Sequence, residues 1–207
     1  MKEILEFRDF NIKIKDSFIF PNDLNIKLLE NDFSVVETDY KDEILNVLLG
    51  KFYDYKGDII FLETSIKNLP QKFIHKRISY ISSYNSFLSE MSVFENIELS
   101  VYFKNRDYIK NLFDYLKENN QINFLLYKKV KDLTDFEYER LMIIRAISRL
   151  PHLLIVDEIL YSENIDFFFK NLSFFKEFNT FTILWLVRKD KKKILKKYCN
   201  EENYISF

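Results

Sequence analysis

Short runs of alternating apolar and polar residues fill the first forty positions of the chain. The runs EILEFRDF, NIKIK, LNIKLLE and FSVVE are rich in branched and aromatic side chains and are separated by Asp, Asn and Pro. This pattern predicts four short β-strands. The next segment, KDEILNVLLG, has apolar residues at 44, 45, 47, 48 and 49, which is the spacing of an amphipathic helix. Gly50 follows this apolar stripe and predicts the end of the helix.

The rest of the chain alternates strands with helices. GDIIFLE and RISYIS predict strands, VFENIELS predicts a short helix, and residues 105–150 are mostly helical with a break near LTDF. HLLIVDE is a continuous apolar run that ends in acids, as expected of a strand buried on both faces. A helix over residues 163–177, the strand TFTILWLV, a helix over KDKKKILKKY and a last strand NYISF complete the prediction. This order predicts a parallel sheet with right-handed crossovers.

Composition narrows the class of protein. With 207 residues and 47% hydrophobic content, the chain can bury a full core. A net charge of −1 gives no indication of nucleic-acid binding. Cys199 is the single cysteine, which excludes an internal disulfide, and no apolar run approaches the roughly 18 residues of a membrane span. The N-terminus lacks a signal-peptide pattern, so we expect a cytosolic protein.

Glycine is scarce, with two in the whole chain against an average usage of about 7%. The scarcity matters in FSVVETDYKDEILNVLLG, residues 33–50, which has the strand, turn and helix layout of a phosphate-binding loop. Such loops follow G-x-x-x-x-G-K-[ST], because bare backbone N–H groups must surround the phosphates. Lys41 is present but the glycines are absent. The segment is either a phosphate loop that has lost its function or an ordinary strand and helix.

Three segments, in the right order and separation, resemble the nucleotide-binding subunit of ATP-binding cassette (ABC) transporters. In residues 133–159, LTDFEYERLMIIRAISRLPHLLIVDEI, the family has a signature LSGGE-x-QR, then R-A, Pro and the Walker B strand ending in Asp-Glu. The other two segments are GDIIFLETSIKNLP and SYNSFLSEMSVFENIEL, the latter resembling the path from the Q-loop into the helical subdomain. The matching positions of the first segment are Leu133, Glu137, Arg140, Arg145, Ala146, Pro151, Asp157 and Glu158.

The resemblance implies a fold. We expect an α/β protein with a P-loop NTPase (RecA-like) core and ABC-type antiparallel β and helical subdomains. Residues 1–207 would form a single nucleotide-binding domain, with a helical subdomain at about 84–150. The wording M-S-V-F-E-N is similar to the subgroup that serves lipid-transport, lipoprotein-release and cell-division complexes.

The residues that this resemblance places in the phosphate-binding loop are unfavourable for binding phosphate. Alignment on Lys41 places Val35, Thr38 and Tyr40 on glycine positions, and Asp42 and Glu43 on the Ser-Thr pair. Side chains at glycine positions obstruct a nest of N–H groups, and an aspartate replaces the hydroxyl that would ligate Mg²⁺. Asp39, with the two other acids, can cap the helix and satisfy its dipole. Two like charges at 4 Å cost about 4 kcal/mol at a dielectric near 20, so phosphate binding would be weakened.

Other positions that carry chemistry in the family also differ. Ser83 stands at the Q-loop glutamine and Arg188 at the switch histidine. In the signature, Thr134 keeps a hydroxyl, Asp135 and Phe136 replace two glycines, and Glu137 is retained. Asn164 stands near the D-loop aspartate. Asp157 remains as the expected Mg²⁺ partner and Glu158 as the residue that would polarise water, which we interpret as vestigial.

Plainer interpretations remain open for several residues. Lys41 can be a structural cation that balances Asp42, Glu43 and Asp157. Asp157 and Glu158 can be relics of the fold or residual metal ligands. Between Tyr84 and Leu99, Phe87 and Met91 are candidate contacts with a permease, or they pack the subdomain together with Leu88, Val93 and Phe94. His75 and His152 lie far apart without ligand-spaced partners and are expected to be ordinary residues.

The leading hypothesis is a degenerate nucleotide-binding subunit with little or no ATPase activity. It would be peripheral on the inner face of the cell membrane, docked on an integral-membrane permease and on another nucleotide-binding subunit, as a homo- or heterodimer. No cofactor is expected in that case. One alternative is a functional ABC ATPase that binds MgATP through Lys41, Asp157 and Glu158. Another is an interaction module outside transport.

Overall fold

The computed structural model describes residues 2–51, 54–82, 86–157, 159–188 and 204–206. The chain divides into two compact units. We call Met1–Tyr80, Pro151–Glu158 and Thr180–Phe207 the core unit. We call Ile81–Leu150 and Ile159–Asn179 the helical unit.

The strands, in chain order, are β1 (Glu3–Ile14), β2 (Ser17–Phe18), β3 (Leu24–Leu29), β4 (Phe33–Glu37), β5 (Tyr55–Phe61), β6 (Thr64–Ser65), β7 (Ile78–Ile81), β8 (Leu153–Val156), β9 (Thr182–Val187) and β10 (Tyr204–Ser206). The helices are α1 (Lys41–Leu48), α2 (Gln71–Arg77), α3 (Val93–Val101), α4 (Arg106–Glu118), α5 (Asp135–Ser148) and α6 (Ser162–Lys176). The helix predicted over KDKKKILKKY lies outside the described residues.

An antiparallel sheet forms the first layer of the core unit, in the order β2-β1-β5-β6 with β3 also paired to β1. The prediction of two strands, EILEFRDF and NIKIK, is wrong, because both belong to β1. A bulge joins them at Asp9, which has φ 46° and donates its N–H to Asn25 at 3.0 Å. Gly57 lies opposite, and a Cβ there would come within 2.3 Å of the Arg8 carbonyl oxygen. Glycine is therefore required at that position.

The second sheet of the core unit has the order β10-β4-β9-β8-β7. β4 runs parallel to both β10 and β9, and β9 runs parallel to β8. Every residue of β8 and β9 is buried, which explains why their sequences are apolar without alternation. The predicted parallel sheet is confirmed.

Helix α1 follows β4 and packs its apolar stripe into the core unit. It ends as the sequence predicts: Gly50 adopts φ +73° just beyond the helix. The Gly50 N–H donates to the Val47 carbonyl at 3.0 Å, and the Lys51 N–H donates to the Asn46 carbonyl at 2.9 Å. This pair of hydrogen bonds is a Schellman motif, which favours glycine at its left-handed position.

In the helical unit, side-chain caps fix the start of three helices. Ser92 forms a capping box at the start of α3, and Thr134 forms one at the start of α5. Asn105 caps α4, because its side-chain oxygen accepts a hydrogen bond from the Tyr108 N–H at 2.8 Å. The break between α4 and α5 is longer than the predicted one at LTDF and includes 3₁₀ turns at Asn123–Leu125 and Val130–Asp132. None of the helices among the described residues is long and apolar enough to cross a membrane.

Candidate functional site

A buried ion pair lies at the C-terminal ends of β4 and β8 in the core unit. Lys41 Nζ is 2.7 Å from Asp157 Oδ1, with side-chain exposures of 6% and 2%. Lys41 is the first residue of α1 and Asp157 directly follows β8. Two residues that are 116 positions apart in the sequence therefore neutralise each other in a site closed to water. Two further polar side chains, those of Glu37 and Thr38, are buried at the end of β4.

The connection between β4 and α1 is very short. β4 ends at Glu37 and α1 begins at Lys41, which leaves residues 38–40 as the linker. The Thr38 N–H donates to the Val187 carbonyl at 2.8 Å, and the Tyr40 N–H donates to the Thr38 hydroxyl at 3.1 Å. Two of the three linker amides are thus already used within the protein.

Two of the residues that stand at the family's glycine positions, Val35 and Tyr40, lie in different environments. Val35 lies inside β4, where it is paired with Trp185 on one side and Tyr204 on the other. Tyr40 packs its ring edge-on against Phe20, with the ring centroids 5.8 Å apart. The Val35 side chain is fully buried, and the Tyr40 side chain is partly buried and packs against the hydrophobic core of the core unit.

The start of α1 differs in part from the expected cap. The residue at the N-cap is Tyr40, and it makes no side-chain capping hydrogen bond. Asp42 and Glu43 lie in the first turn, partly buried, where their negative charge is favourable for the helix dipole. Asp42 and Glu43 therefore stabilise the start of α1 through their charge in the first turn.

The remaining predicted catalytic positions are described only in part. Arg188 is exposed and follows β9 directly. Ser83 and Glu158 lie outside the described residues. Among the residues that the structure does describe, no group of three or more His, Cys, Asp or Glu side chains could hold a metal ion.

The signature residues form the N-terminus of α5 in the helical unit. The Glu137 N–H donates to the Thr134 hydroxyl at 3.3 Å, and the Thr134 N–H donates to the Glu137 carboxylate at 3.0 Å. Lys128 Nζ lies 2.6 Å from the same carboxylate. Burial would raise the pKa of Glu137, but the hydrogen bonds from Lys128 and Thr134 outweigh it and hold that pKa below its usual value.

The two residues at the signature glycine positions face different surroundings. Asp135 is exposed in the first turn of α5. The Phe136 ring packs edge-on against Tyr161 at 5.3 Å, and the Arg140 guanidinium lies 4.5 Å from its centroid. Phe136 is therefore a packing residue of the helical unit.

Sequence reasoning missed a buried polar network around Glu139. Its carboxylate accepts hydrogen bonds from the Leu160 N–H at 2.5 Å and from the Asn164 amide at 2.7 Å. Arg140 Nε donates to the Asn164 side-chain oxygen at 3.0 Å. The network joins α5 to α6 and to the segment that precedes α6. An acid within the apolar stripe of α5 was the signal that could have identified it.

A groove of about 420 Å³ opens on the helical unit. Phe87 lines this groove, whereas Met91, which is also described, does not. Instead Met91 is partly buried, and its carbonyl accepts from the Val130 N–H at 3.0 Å. We call this feature the docking groove, and it is lined by Ser86, Phe87, Leu88, Asn96, Leu99, Ser100, Phe103, Arg145 and Arg149.

Comparison with known proteins identifies relatives. The ABC transporter family model matches residues 41–160, a stretch that begins at Lys41 and includes Asp157. An ABC transporter ATP-binding protein of Clostridium tetani is 25% identical over 166 residues, covering 75% of this chain and 36% of that protein. One of Mycoplasma pneumoniae is 32% identical over 116 residues, covering 56% and 38% respectively. This chain thus spans little more than a third of the length of either relative.

Solved structures show the same fold. An ATP-binding subunit of an ABC transporter superposes with a TM-score of 0.81 at 15% identity, covering 99% of this chain and 85% of that one. CbiO1 of Clostridium perfringens, part of an ABC transporter complex, gives a TM-score of 0.75 at 18% identity, covering 96% and 83%. These likenesses confirm the expected fold class.

Proposed function

This chain belongs to the ABC transporter family of ATP-binding proteins, and on that premise we propose that it is a degenerate nucleotide-binding subunit with little or no ATPase activity. It would bind an integral-membrane permease and a second nucleotide-binding subunit at the inner face of the cell membrane. The fold would be retained for assembly after the phosphate chemistry was lost.

The short linker between β4 and α1 carries the proposal. A G-x-x-x-x-G-K-[ST] loop leaves the strand six positions before its lysine, so that its amides surround the phosphates. Here that position is Val35, which is held in the sheet between two partner strands. Only residues 38–40 remain outside regular structure, and two of their amides donate within the protein. This short linker does not leave enough free backbone amides to surround the phosphates of a nucleoside triphosphate.

The buried ion pair adds an energetic obstacle. Lys41 would have to turn from Asp157 to meet a phosphate, leaving a carboxylate of 2% exposure without its cation. Breaking a buried pair in this way costs about 3–5 kcal/mol, which corresponds to a loss of affinity of roughly 10²- to 10⁴-fold. The same pairing supports the interpretation of Lys41 as a structural cation.

Pairing with a second subunit would be affected at the signature. In the family, the signature of one subunit faces the nucleotide of its partner. Asp135 places an exposed carboxylate at the start of α5, where a phosphate of the partner's nucleotide would be repelled. We infer that both composite sites of such a dimer are impaired.

Thermal unfolding with and without millimolar MgATP tests the proposal. A ligand present at 100 times its dissociation constant stabilises the folded state by about 2.7 kcal/mol, which raises the melting temperature by several degrees. We expect no such rise for this protein, with either ATP or a non-hydrolysable analogue. A rise that disappears in Lys41→Met would contradict the proposal and support the alternative of a functional ATPase that uses Lys41 and Asp157.

A further inference from the structure

A cavity of about 530 Å³, separate from the docking groove, lies in the helical unit where the end of α4 meets the second half of α6. Its volume is within the range of roughly 300–1,000 Å³ that is typical of small-molecule sites. We call it the α4–α6 cavity, and it is lined by residues 115 and 118–121 on one side and by residues 170, 173, 174 and 177 on the other. None of these residues lines the docking groove.

One wall of the α4–α6 cavity is a preformed aromatic surface. The rings of Tyr115 and Phe174 stack in parallel, with their centroids 3.8 Å apart and an interplanar angle of 4°. The Tyr115 hydroxyl donates to the Asn171 side-chain oxygen at 2.6 Å, and the Asn119 amide donates to the same oxygen at 2.8 Å. Both rings are partly buried, so each keeps some surface for a ligand. Because these contacts already hold the rings, binding would not have to order them.

Hydrogen-bond acceptors predominate among the polar groups of the lining. Glu118 and Glu177 are exposed, and neither carboxylate forms an ion pair with any other residue that the structure describes. Gln121 Oε1 is buried and accepts no hydrogen bond within the described part of the chain. The terminal amide torsion of glutamine is broad, so a rotation can turn this oxygen towards the cavity. The lining therefore favours a ligand that is rich in N–H donors.

The charge of the α4–α6 cavity favours a cation. The lining includes two carboxylates against one ammonium, that of Lys170. α4 ends at Glu118 and α6 ends at Lys176, so the C-terminal carbonyl groups of both helices lie beside the cavity. These carbonyl groups carry partial negative charge. Lys117 and Lys176 are exposed in the last turns of the two helices and do not line the cavity.

We propose that the α4–α6 cavity binds a linear aliphatic diamine. Its methylene chain would lie along the rings of Tyr115 and Phe174. Its two ammonium groups would pair with Glu118 and Glu177, and one of them would also donate to Gln121 Oε1. A bare metal ion would leave the aromatic wall unused, and the described residues contain no group of three or more His, Cys, Asp or Glu side chains that could hold one. The proposal requires neither a nucleotide nor a permease and is tested separately from the proposed function.

Nuclear magnetic resonance titration of the full, ¹⁵N-labelled chain tests the proposal with three probes of matched length. Cadaverine has an ammonium group at each end of a five-carbon chain, pentylamine has one, and the corresponding diol has none. We expect cadaverine to shift the amide signals of residues 115–121 and 170–177 and to bind about two- to fivefold tighter than pentylamine, because one more exposed ion pair is worth about that much. The diol should bind more weakly than either amine. The advantage of cadaverine should shrink as salt is added.

Three substitutions at exposed positions complete the design. Glu118→Gln should weaken cadaverine binding by about two- to fivefold, whereas Lys170→Gln should strengthen it by a similar factor, because it removes a like charge from the lining. Asp114→Asn removes an acid of α4 that does not line the cavity and should leave the affinity nearly unchanged. Opposite effects of the first two variants would not arise from a general loss of structure.

Several results would overturn the inference. These are an absence of shifts around the cavity at tens of millimolar cadaverine, pentylamine binding as tightly as cadaverine, an unchanged affinity in Glu118→Gln, or a weaker affinity in Lys170→Gln. Equal shifts at the same residues with magnesium chloride would also overturn it, because they would show that charge alone is recognised.

Discussion

At the residue scale, the buried ion pair of Lys41 and Asp157 predicts a large loss of stability when one partner alone is removed. We predict that Asp157→Asn lowers the free energy of unfolding by about 3–5 kcal/mol, because it leaves the buried Lys41 ammonium without its counter-charge. Urea denaturation measures the loss. The double variant Lys41→Met/Asp157→Leu should recover most of it, since apolar pairs often replace buried ion pairs without cost.

An exposed ion pair gives the control for that prediction. Glu90 Oε2 lies 2.8 Å from Lys131 Nζ, and both side chains are exposed to solvent. Glu90→Gln should change the free energy of unfolding by no more than about 1 kcal/mol. An Asp157→Asn variant as mild as Glu90→Gln would show that the buried pair does not hold the core unit together.

At the element scale, the start of α5 depends on charge. The folded-state pKa of Glu137 is held below its usual 4.5 by Lys128 and Thr134 against the opposing effect of burial. A depressed carboxyl pKa stabilises the folded state above the unfolded value, and that contribution is lost as pH falls through the folded value. We predict that Glu137→Gln is destabilising at pH 6 and that its difference from wild type shrinks steadily below about pH 4.5. Denaturation at several pH values measures this.

The neighbouring cap should behave differently. Thr134→Ala removes a neutral hydrogen bond to the Glu137 N–H and should cost about 1 kcal/mol, with much less dependence on pH. If both variants responded to pH alike, the charge of Glu137 would not be the origin of the effect.

At the scale of the whole molecule, the proposed function predicts a membrane association that depends on the docking groove. We predict that Phe103→Asp moves the protein from the membrane fraction to the soluble fraction of cells that contain its permease, because it places a carboxylate in an apolar contact surface. Fractionation with immunoblotting measures the shift. Phe103 is preferred to Phe87 for this test, because Phe87 also packs against Tyr138 at 4.9 Å and its loss could unfold the helical unit.

The control for this test changes a similar phenylalanine elsewhere on the helical unit. Phe124 is 54% exposed and does not line the groove, so Phe124→Asp should stay with the membrane. Both variants should keep the wild-type circular dichroism. Folded Phe103→Asp protein that remains membrane-bound would show that the permease docks elsewhere or is absent.

The sequence by itself determined several of the elements and the family. The apolar stripe of α1, its closing Gly50 and the unalternated run of β8 are local patterns, so they could be read without the rest of the chain. The ordered match from residue 133 to residue 159 identified the family without any glycine at the positions of the phosphate loop.

Only the tertiary structure decided how those elements are completed. Val35 belongs to β4 because strands distant in the sequence supply its hydrogen bonds, and the Asp157 carboxylate reaches Lys41 only after the sheet has formed. In the same way, packing around Leu99 and Phe103 made them part of the docking groove, while Met91 was left out of it. Such non-local contacts leave no periodic signal in the sequence, which is why they could not be predicted from it.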